Sequence, residues 1–295
     1  MKTKIHFIVN PIAGNGINKV TYNFLKQTFN EVLFELTIKT SQHKKHSIVL
    51  TKESINQGAS IIVACGGDGT INEIASCLIN TEIILGIIPT GSGNGLASNL
   101  SISKNVLKAL STIKKGKHIE IDVGEINKEY FFSNMGVGFD AFVISDFEKN
   151  SNRKLWSYLK SIIRVIRKYD YSNNYEITFN SQSETINPFL FFVSNSNEMG
   201  YKMSLTPKAS LQDGVLDVII VPKLSFFKMT LFTLLLLIKK HYWLKEVRMF
   251  TSESITIQQN FQGSFQLQKD GEYLELDKNL LTIRLLKKSL KVFVD

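Results

Sequence analysis

The sequence is poor in cysteine, in long apolar runs and in basic clusters, and each shortage excludes something. Cys65 and Cys77 are the only two cysteines in 295 residues. Both have apolar neighbours, so two buried thiols are expected rather than a disulfide framework or a zinc site. The apolar stretch near the start, Ile5 to Val9, is a few residues long before Asn10 and Pro11. It reads as a short strand and not a signal peptide, which places the chain in the cytoplasm. The run Met229 to Ile238 falls far short of the roughly 20 apolar residues that span a bilayer. Lysines are scattered from Lys2 to Lys291 with no long basic run and little aromatic interleaving, so nucleic acid is not the expected partner. Neither an internal repeat nor a low-complexity linker is present.

What remains is an ordinary globular composition, with 43% hydrophobic and 21% charged residues. The length favours two domains. A net charge of +9 points to an anionic partner, either a membrane surface or a phosphorylated ligand. Up to about residue 121, short Ile- and Val-rich runs alternate with helix-like segments: 18–32, 47–56 and 70–78 between runs at 4–10, 34–40, 60–66 and 83–89. That alternation predicts a parallel sheet covered on both faces. Beyond residue 121 the period falls to two, as in Tyr175 to Asn180 and Phe189 to Asn195, and a mainly antiparallel β domain is expected. Helical insertions around 154–167 and 226–242 interrupt it. The reading is an α/β domain over 1–121 and a β-sandwich over 122–282, with a tail, 283–295, able to return to the first.

Three loops after three strands are rich in glycine: Asn10 to Gly16, Gly66 to Gly69, and Pro89 to Ala97. A glycine loop between a buried strand and a helix exposes backbone N–H groups at a helix N-terminus, a ready cradle for phosphate. None has the Lys-Ser/Thr of a Walker loop or the dinucleotide fingerprint. Asp68 inside the second loop has two readings. It faces ATP phosphates through Mg²⁺, which takes one or two carboxylates beside phosphate oxygens, or it caps the following helix by accepting from the N–H of Thr70 or Ile71.

Taken together, Gly66-Gly67-Asp68-Gly69-Thr70 with Asn72 and Glu73, the upstream Asn10 to Gly14 and the downstream Pro89 to Asn94 resemble the catalytic domain of the diacylglycerol kinase and sphingosine kinase superfamily. Phe131 to Ala141, Lys154 to Lys160, Thr206 to Asp217 and Lys269 to Glu272 follow in that family's order, so the likeness runs essentially end to end. It implies a bacterial-type lipid kinase of two domains with ATP between them. Carried over, Asn10, Pro11, Ile12, Ala13, Gly14, Thr40, Gly66, Gly67, Asp68, Gly69, Thr70, Ile71, Asn72 and Ser92 would line the nucleotide site. Backbone carbonyls of Ser210 and Val215 and the carboxylate of Asp213 would hold a largely structural Mg²⁺. Glu272 would be the general base, with Asp270 beside it near the catalytic magnesium.

Chemistry alone supports a carboxylate there, since phosphoryl transfer needs an acceptor for the alcohol proton. Asp270 and Glu272, two apart, would share a strand face. The competing reading of the same residues is a bare Asp-Gly hairpin turn. Asp140, in a turn bracketed by glycines, is either a substrate headgroup contact or a cap or turn residue. The third glycine loop reads Gly91-Ser92-Gly93-Asn94-Gly95, closer to sphingosine kinase-like members than to diacylglycerol-type ones, and Ser98 stands where an Arg is frequent. Both a diacylglycerol and a sphingoid base therefore stay open as acceptors. The segment 229–238, with Lys239 to Trp243 after it, suits either a core helix or one lying in the interface of an anionic membrane. The resemblance also allows a homodimer. Rival functions are an NAD kinase, whose Gly-x-Leu-Gly-Phe turn is not matched, and a non-catalytic lipid- or nucleotide-binding regulator, against which the retained Asp68, Asp270 and Glu272 count.

Overall fold

The computed structural model of the chain describes residues 2–14, 20–91, 93–149, 155–166, 168–169, 173–198, 204–260 and 263–295. These divide into two compact units, one of residues 1–122 with 287–295 and one of 123–286.

In the first unit the chain runs β1 (Thr3–Val9), α1 (Tyr22–Lys26), β2 (Phe34–Thr40), α2 (His46–Asn56), β3 (Ile61–Gly66), α3 (Asp68–Leu78), β4 (Ile84–Pro89), α4 (Gly95–Asn99), α5 (Val106–Lys115) and the start of β5 (His118–Ile126). Strands β2, β1, β3 and β4 lie side by side, all parallel. Both faces of β3 are buried, as helices on either side of a parallel sheet require. α3 turns Ile71, Ile74, Ala75 and Leu78 inward at the spacing of one helical face. Parallel pairing sends the ends of β1, β2, β3 and β4 to one edge, so the loops at 10, 40, 66 and 90 gather there.

The second unit continues with β6 (Glu129–Phe131), β7 (Asn134–Gly138), α6 (Phe139–Glu148), α7 (Leu155–Ile166), β8 (Tyr175–Phe179), β9 (Gln182–Ile186), β10 (Pro188–Ser194) and β11 (Leu216–Pro222). Then follow α8 (Phe226–Leu237), β12 (Arg248–Ser252), β13 (Ser254–Gln259), β14 (Phe265–Lys269), β15 (Glu272–Leu276) and β16 (Leu280–Phe293), whose last residues belong to the first unit. One sheet has the order β12-β11-β10-β7-β14-β15, antiparallel throughout. Alternate residues of β10 and β11 serve two cores. Phe191, Val193, Val218 and Ile220 meet Ile177, Ile255, Ile257 and Ile283 of the opposing strands in a sandwich. Leu190, Phe192, Ile219 and Val221 face the other way, under Val143 of α6 and Phe232 of α8.

The mixed class expected from the sequence, a parallel α/β part and an antiparallel sandwich, is the one found. Some local expectations change. The helix foreseen over 18–32 is short, Tyr22–Lys26. After it, Asn30 takes the N–H of Val32 on its side chain at 2.9 Å and makes a turn instead; residues 18 and 19 lie outside the described residues. Likewise 154 and 167, the ends foreseen for α7, lie outside them. α8 stops at Leu237, followed by a left-handed Lys239 (φ +57°) and a 3-10 turn at His241–Trp243. Cys65 is buried, which pushes its thiol pKa up, whereas Cys77 is only half-buried.

Candidate active site

The first group of predicted residues sits at the carboxyl edge of the parallel sheet. Asn10 leaves β1 with its side-chain amide on the Thr70 hydroxyl at 3.0 Å, and its own oxygen takes the N–H of Ile12 at 3.2 Å. Pro11, Ile12, Ala13 and Gly14 form the loop beyond, where Gly14 has φ +67° and a Cβ would meet the Thr90 carbonyl oxygen at 2.3 Å. The loops of β3 and β4 touch directly: a Cβ on Gly91 would stand 2.6 Å from Gly67 Cα, and one on Gly93 would stand 2.6 Å from Asp68 Oδ2. These glycines are needed to let backbones approach each other. Thr40 ends β2, exposed at the same edge. Ser92 lies outside the described residues.

Asp68 does not cap its own helix. It is the first residue of α3, which has no side-chain cap of its own. Its carboxylate instead accepts the N–H of Asn94 at 2.7 Å and of Gly95 at 2.5 Å, capping the start of α4 from the neighbouring loop. Asn94, left-handed at φ +63° and buried, closes its own loop by accepting from Gly91 N–H at 3.1 Å and donating to Gly91 O at 2.6 Å. Glu73 performs the same service for α2, whose left-handed N-cap Lys45 donates its N–H at 3.0 Å, with the Ser47 hydroxyl on the other oxygen.

With α4 capped, the anion-receptive end is that of α3. Its first intrahelical bond is Ile71 N–H to Gly67 O at 3.0 Å. The amides of Gly67, Asp68, Gly69 and Thr70 thus precede the helical ladder and carry the positive end of the helix dipole. Beside them the buried Thr90 hydroxyl has no hydrogen-bond partner among the described residues. Ile71 itself has nothing to offer a ligand: its side chain is fully buried and its N–H is used. Asn72 lies one position farther along the helix. Thr90, Asn94 and Glu73 were not among the predicted site residues, although all three stand within or beside the glycine motifs.

The second group sits on the antiparallel sheet. Asp270 and Gly271 form a two-residue hairpin turn, both left-handed at φ +50° and +81°, joining β14 to β15 with Lys269 opposite Glu272. Asp270 is therefore not on a strand and does not share a face with Glu272. Its carboxylate turns back to accept the N–H groups of Phe132 at 2.9 Å, Ser133 at 2.7 Å and Asn134 at 3.1 Å. Burial pushes its pKa up to about 6, opposed by those three donors. Gln268 steadies the turn, accepting from Gly271 N–H at 2.9 Å and donating to Asn134 Oδ1 at 3.0 Å. Glu272, the first residue of β15, is exposed.

Asp140 is helical rather than in a turn, in the first turn of α6 behind Gly138 at φ +80°. It is 5% exposed, and its Oδ2 lies so close to β7 that a Cβ on Gly136 would come within 2.3 Å. Burial raises its pKa to about 7, with a hydrogen bond from Gln268 pulling the other way. Oδ2 has no hydrogen-bond partner among the described residues.

In the turn before β11, Asp213 Oδ1 accepts the N–H of Val215 and Ser210 Oγ accepts that of Gln212, each at 3.3 Å. Burial, and then the charge of Asp213, push Asp217 up to about 6. Carboxylate and carbonyl oxygens are the donors a divalent cation takes, although among the described residues no group of three or more His, Cys, Asp or Glu stands together here.

Comparison with known proteins agrees with this architecture. Residues 4–126 match the diacylglycerol kinase catalytic domain, and residues 133–294 match the YegS C-terminal NAD kinase beta sandwich-like domain. The chain therefore belongs to the diacylglycerol kinase and YegS-like lipid kinase family. It is 27% identical over 278 residues to the diacylglycerol kinase of Bacillus subtilis, covering 92% of this chain and 90% of that one. The diacylglycerol kinase of Staphylococcus saprophyticus is 26% identical over 304 residues, at 99% and 96% coverage. A solved Bacillus anthracis structure, 23% identical, superposes with a TM-score of 0.78 over 99% of this chain and 95% of that one, which establishes the fold.

Proposed function

We propose that this protein is an ATP- and Mg²⁺-dependent lipid kinase that transfers the γ-phosphoryl group to a primary hydroxyl of a long-chain lipid, a diacylglycerol or a sphingoid base. The observation that carries the nucleotide half is the α3 N-terminus: four amides ahead of the helical ladder, a Thr90 hydroxyl beside them that has no partner among the described residues, and a competing helix start already capped by Asp68. That arrangement binds a polyphosphate. Asp68 keeps the phosphate loops in register. Mg²⁺ neutralises phosphate charge when bound, and Asp213 with the carbonyls of Ser210 and Val215 holds a structural ion.

Glu272 accepts the proton of the lipid hydroxyl. Its exposure leaves the carboxylate open to an incoming hydroxyl, and a positioned carboxylate can take that group's proton. Asp270 works through the turn, its three amide bonds fixing the hairpin that presents Glu272. Asp140, buried beside Gln268, contributes to recognition of the lipid headgroup.

The test is transfer of labelled γ-phosphate from ATP with Mg²⁺ to vesicles containing diacylglycerol, sphinganine or ceramide in turn, with NAD as a soluble acceptor in parallel. Label in one lipid is the expected result. Label in NAD alone gives the reaction to the rival kinase class, and label in none despite ATP binding leaves a regulator.

A further inference from the structure

Apart from both groups of site residues, α8 and the turn after it form a surface that none of the described residues of the second unit covers. Only Phe232 of the helix is buried, with Met229 and Leu236 packed at its flank, which makes one inward stripe. Phe227, Leu231, Leu234 and Ile238, spaced four, three and four residues apart, make a second stripe on the opposite side. Phe226 and Phe227 are 81% and 84% exposed, Leu237 is 70% and Trp243 is 64%. A helix apolar all round is at home in a core or in lipid, and among the described residues no core meets the outer stripe.

Length and charge identify the occupant. Twelve residues extend about 18 Å against a hydrocarbon thickness of about 30 Å, so α8 cannot cross a bilayer. Between residues 221 and 250 the chain carries Lys223, Lys228, Lys239, Lys240, Lys245 and Arg248 against the single acid Glu246, with Arg248 paired to Glu184 of β9. Glu246 is taken by Lys228, while Lys240 sits 5.5 Å over the rings of Tyr242 and of Trp243. Apolar side chains with a basic, aromatic flank match the interface of an anionic bilayer. A second copy of the chain would instead bring this lysine set against itself.

We propose that the outer stripe of α8, with Tyr242 and Trp243, is the surface by which the protein docks onto an anionic lipid bilayer, the helix lying in the interface plane. The inference rests on the lipid-kinase reading for its purpose, since a membrane-resident acceptor must be met at the membrane.

The experiment is sedimentation of the full chain, without nucleotide, with vesicles of phosphatidylcholine alone or mixed with phosphatidylglycerol. Binding is expected to the mixed vesicles, weakened by salt, and the double variant Phe227→Ser, Leu234→Ser is expected to lower the partition coefficient at least tenfold. Both positions are exposed, so unchanged circular dichroism is expected. Equal partitioning of variant and parent overturns the proposal. So does a dimer of the parent, seen by analytical ultracentrifugation without lipid, that the double substitution dissociates. Phosphorylation of a micellar lipid without vesicle binding sinks the docking surface and leaves the kinase; vesicle binding without phosphorylation of any lipid does the reverse.

Discussion

At the scale of single residues, the carboxylates of this protein divide by surroundings. Glu272 is exposed at the start of β15, so its removal leaves no hole in the core. Glu272→Ala is expected to lower turnover by roughly 10²–10⁴-fold, the usual worth of a positioned base, with the melting temperature unchanged. Turnover equal to the parent removes Glu272 from the mechanism. Asp140 is the opposite case, buried with its pKa raised to about 7. A raised folded-state pKa means that the native state holds the proton more tightly than the unfolded chain does. The resulting stability is complete below about pH 4 and is lost as pH climbs through about 7. Asp140→Asn imitates the protonated form. It is expected to change stability little near pH 3 and to raise it at pH 8, by an amount on the order of 4 kcal/mol. Thermal melts at the two pH values decide this, and an identical shift at both would show that ionisation of Asp140 is not what matters.

At the scale of elements, α3 organises its neighbours. Asp68 caps α4 and Glu73 caps α2, and both recipient helices start on a left-handed residue, Asn94 or Lys45, without a side-chain cap of their own. Glu73→Gln weakens the acceptor for Lys45 N–H and Ser47, and the expected cost is about 1 kcal/mol, read as a lower denaturant midpoint with ATP affinity unchanged. A simultaneous loss of ATP affinity would mean that Glu73 belongs to the site itself. This relation explains what sequence could and could not disclose. The glycine loops after β3 and β4 were legible because each follows a buried strand and opens a helix, and the Asp270-Gly271 turn was legible because that dipeptide suits two left-handed residues in a row. Capping across elements was not: Asp68 and Glu73 are 26 and 28 residues from their partners. The expectation that Asp270 and Glu272 share a face failed because strand periodicity stops where the hairpin turns. Nothing in the apolar run of α8 told which side would be left uncovered; that depended on Met229, Phe232 and Leu236 sufficing to seat it.

At the scale of the whole molecule, the chain consists of two units, each with an interior of its own, and melting need not be a single two-state step. A ligand held by the α3 N-terminus stabilises whichever cooperative transition includes the first unit, by RT ln(1 + [L]/Kd), or about 2.7 kcal/mol at a hundredfold excess over Kd. ATP with Mg²⁺ is therefore expected to raise the melting of that unit by several degrees. EDTA, added with the ATP, is expected to cancel most of the shift, because the polyphosphate then reaches the loops with its charge unneutralised beside the Asp68 carboxylate. The measurement is a calorimetric scan of the full chain with ATP and Mg²⁺, with ATP and EDTA, and with neither. No shift with ATP and Mg²⁺ would remove the nucleotide from the reading. A shift that survives EDTA in full would keep ATP but dispense with the metal at the phosphates, since EDTA withdraws only the Mg²⁺ charge and leaves the amides of the α3 N-terminus in place.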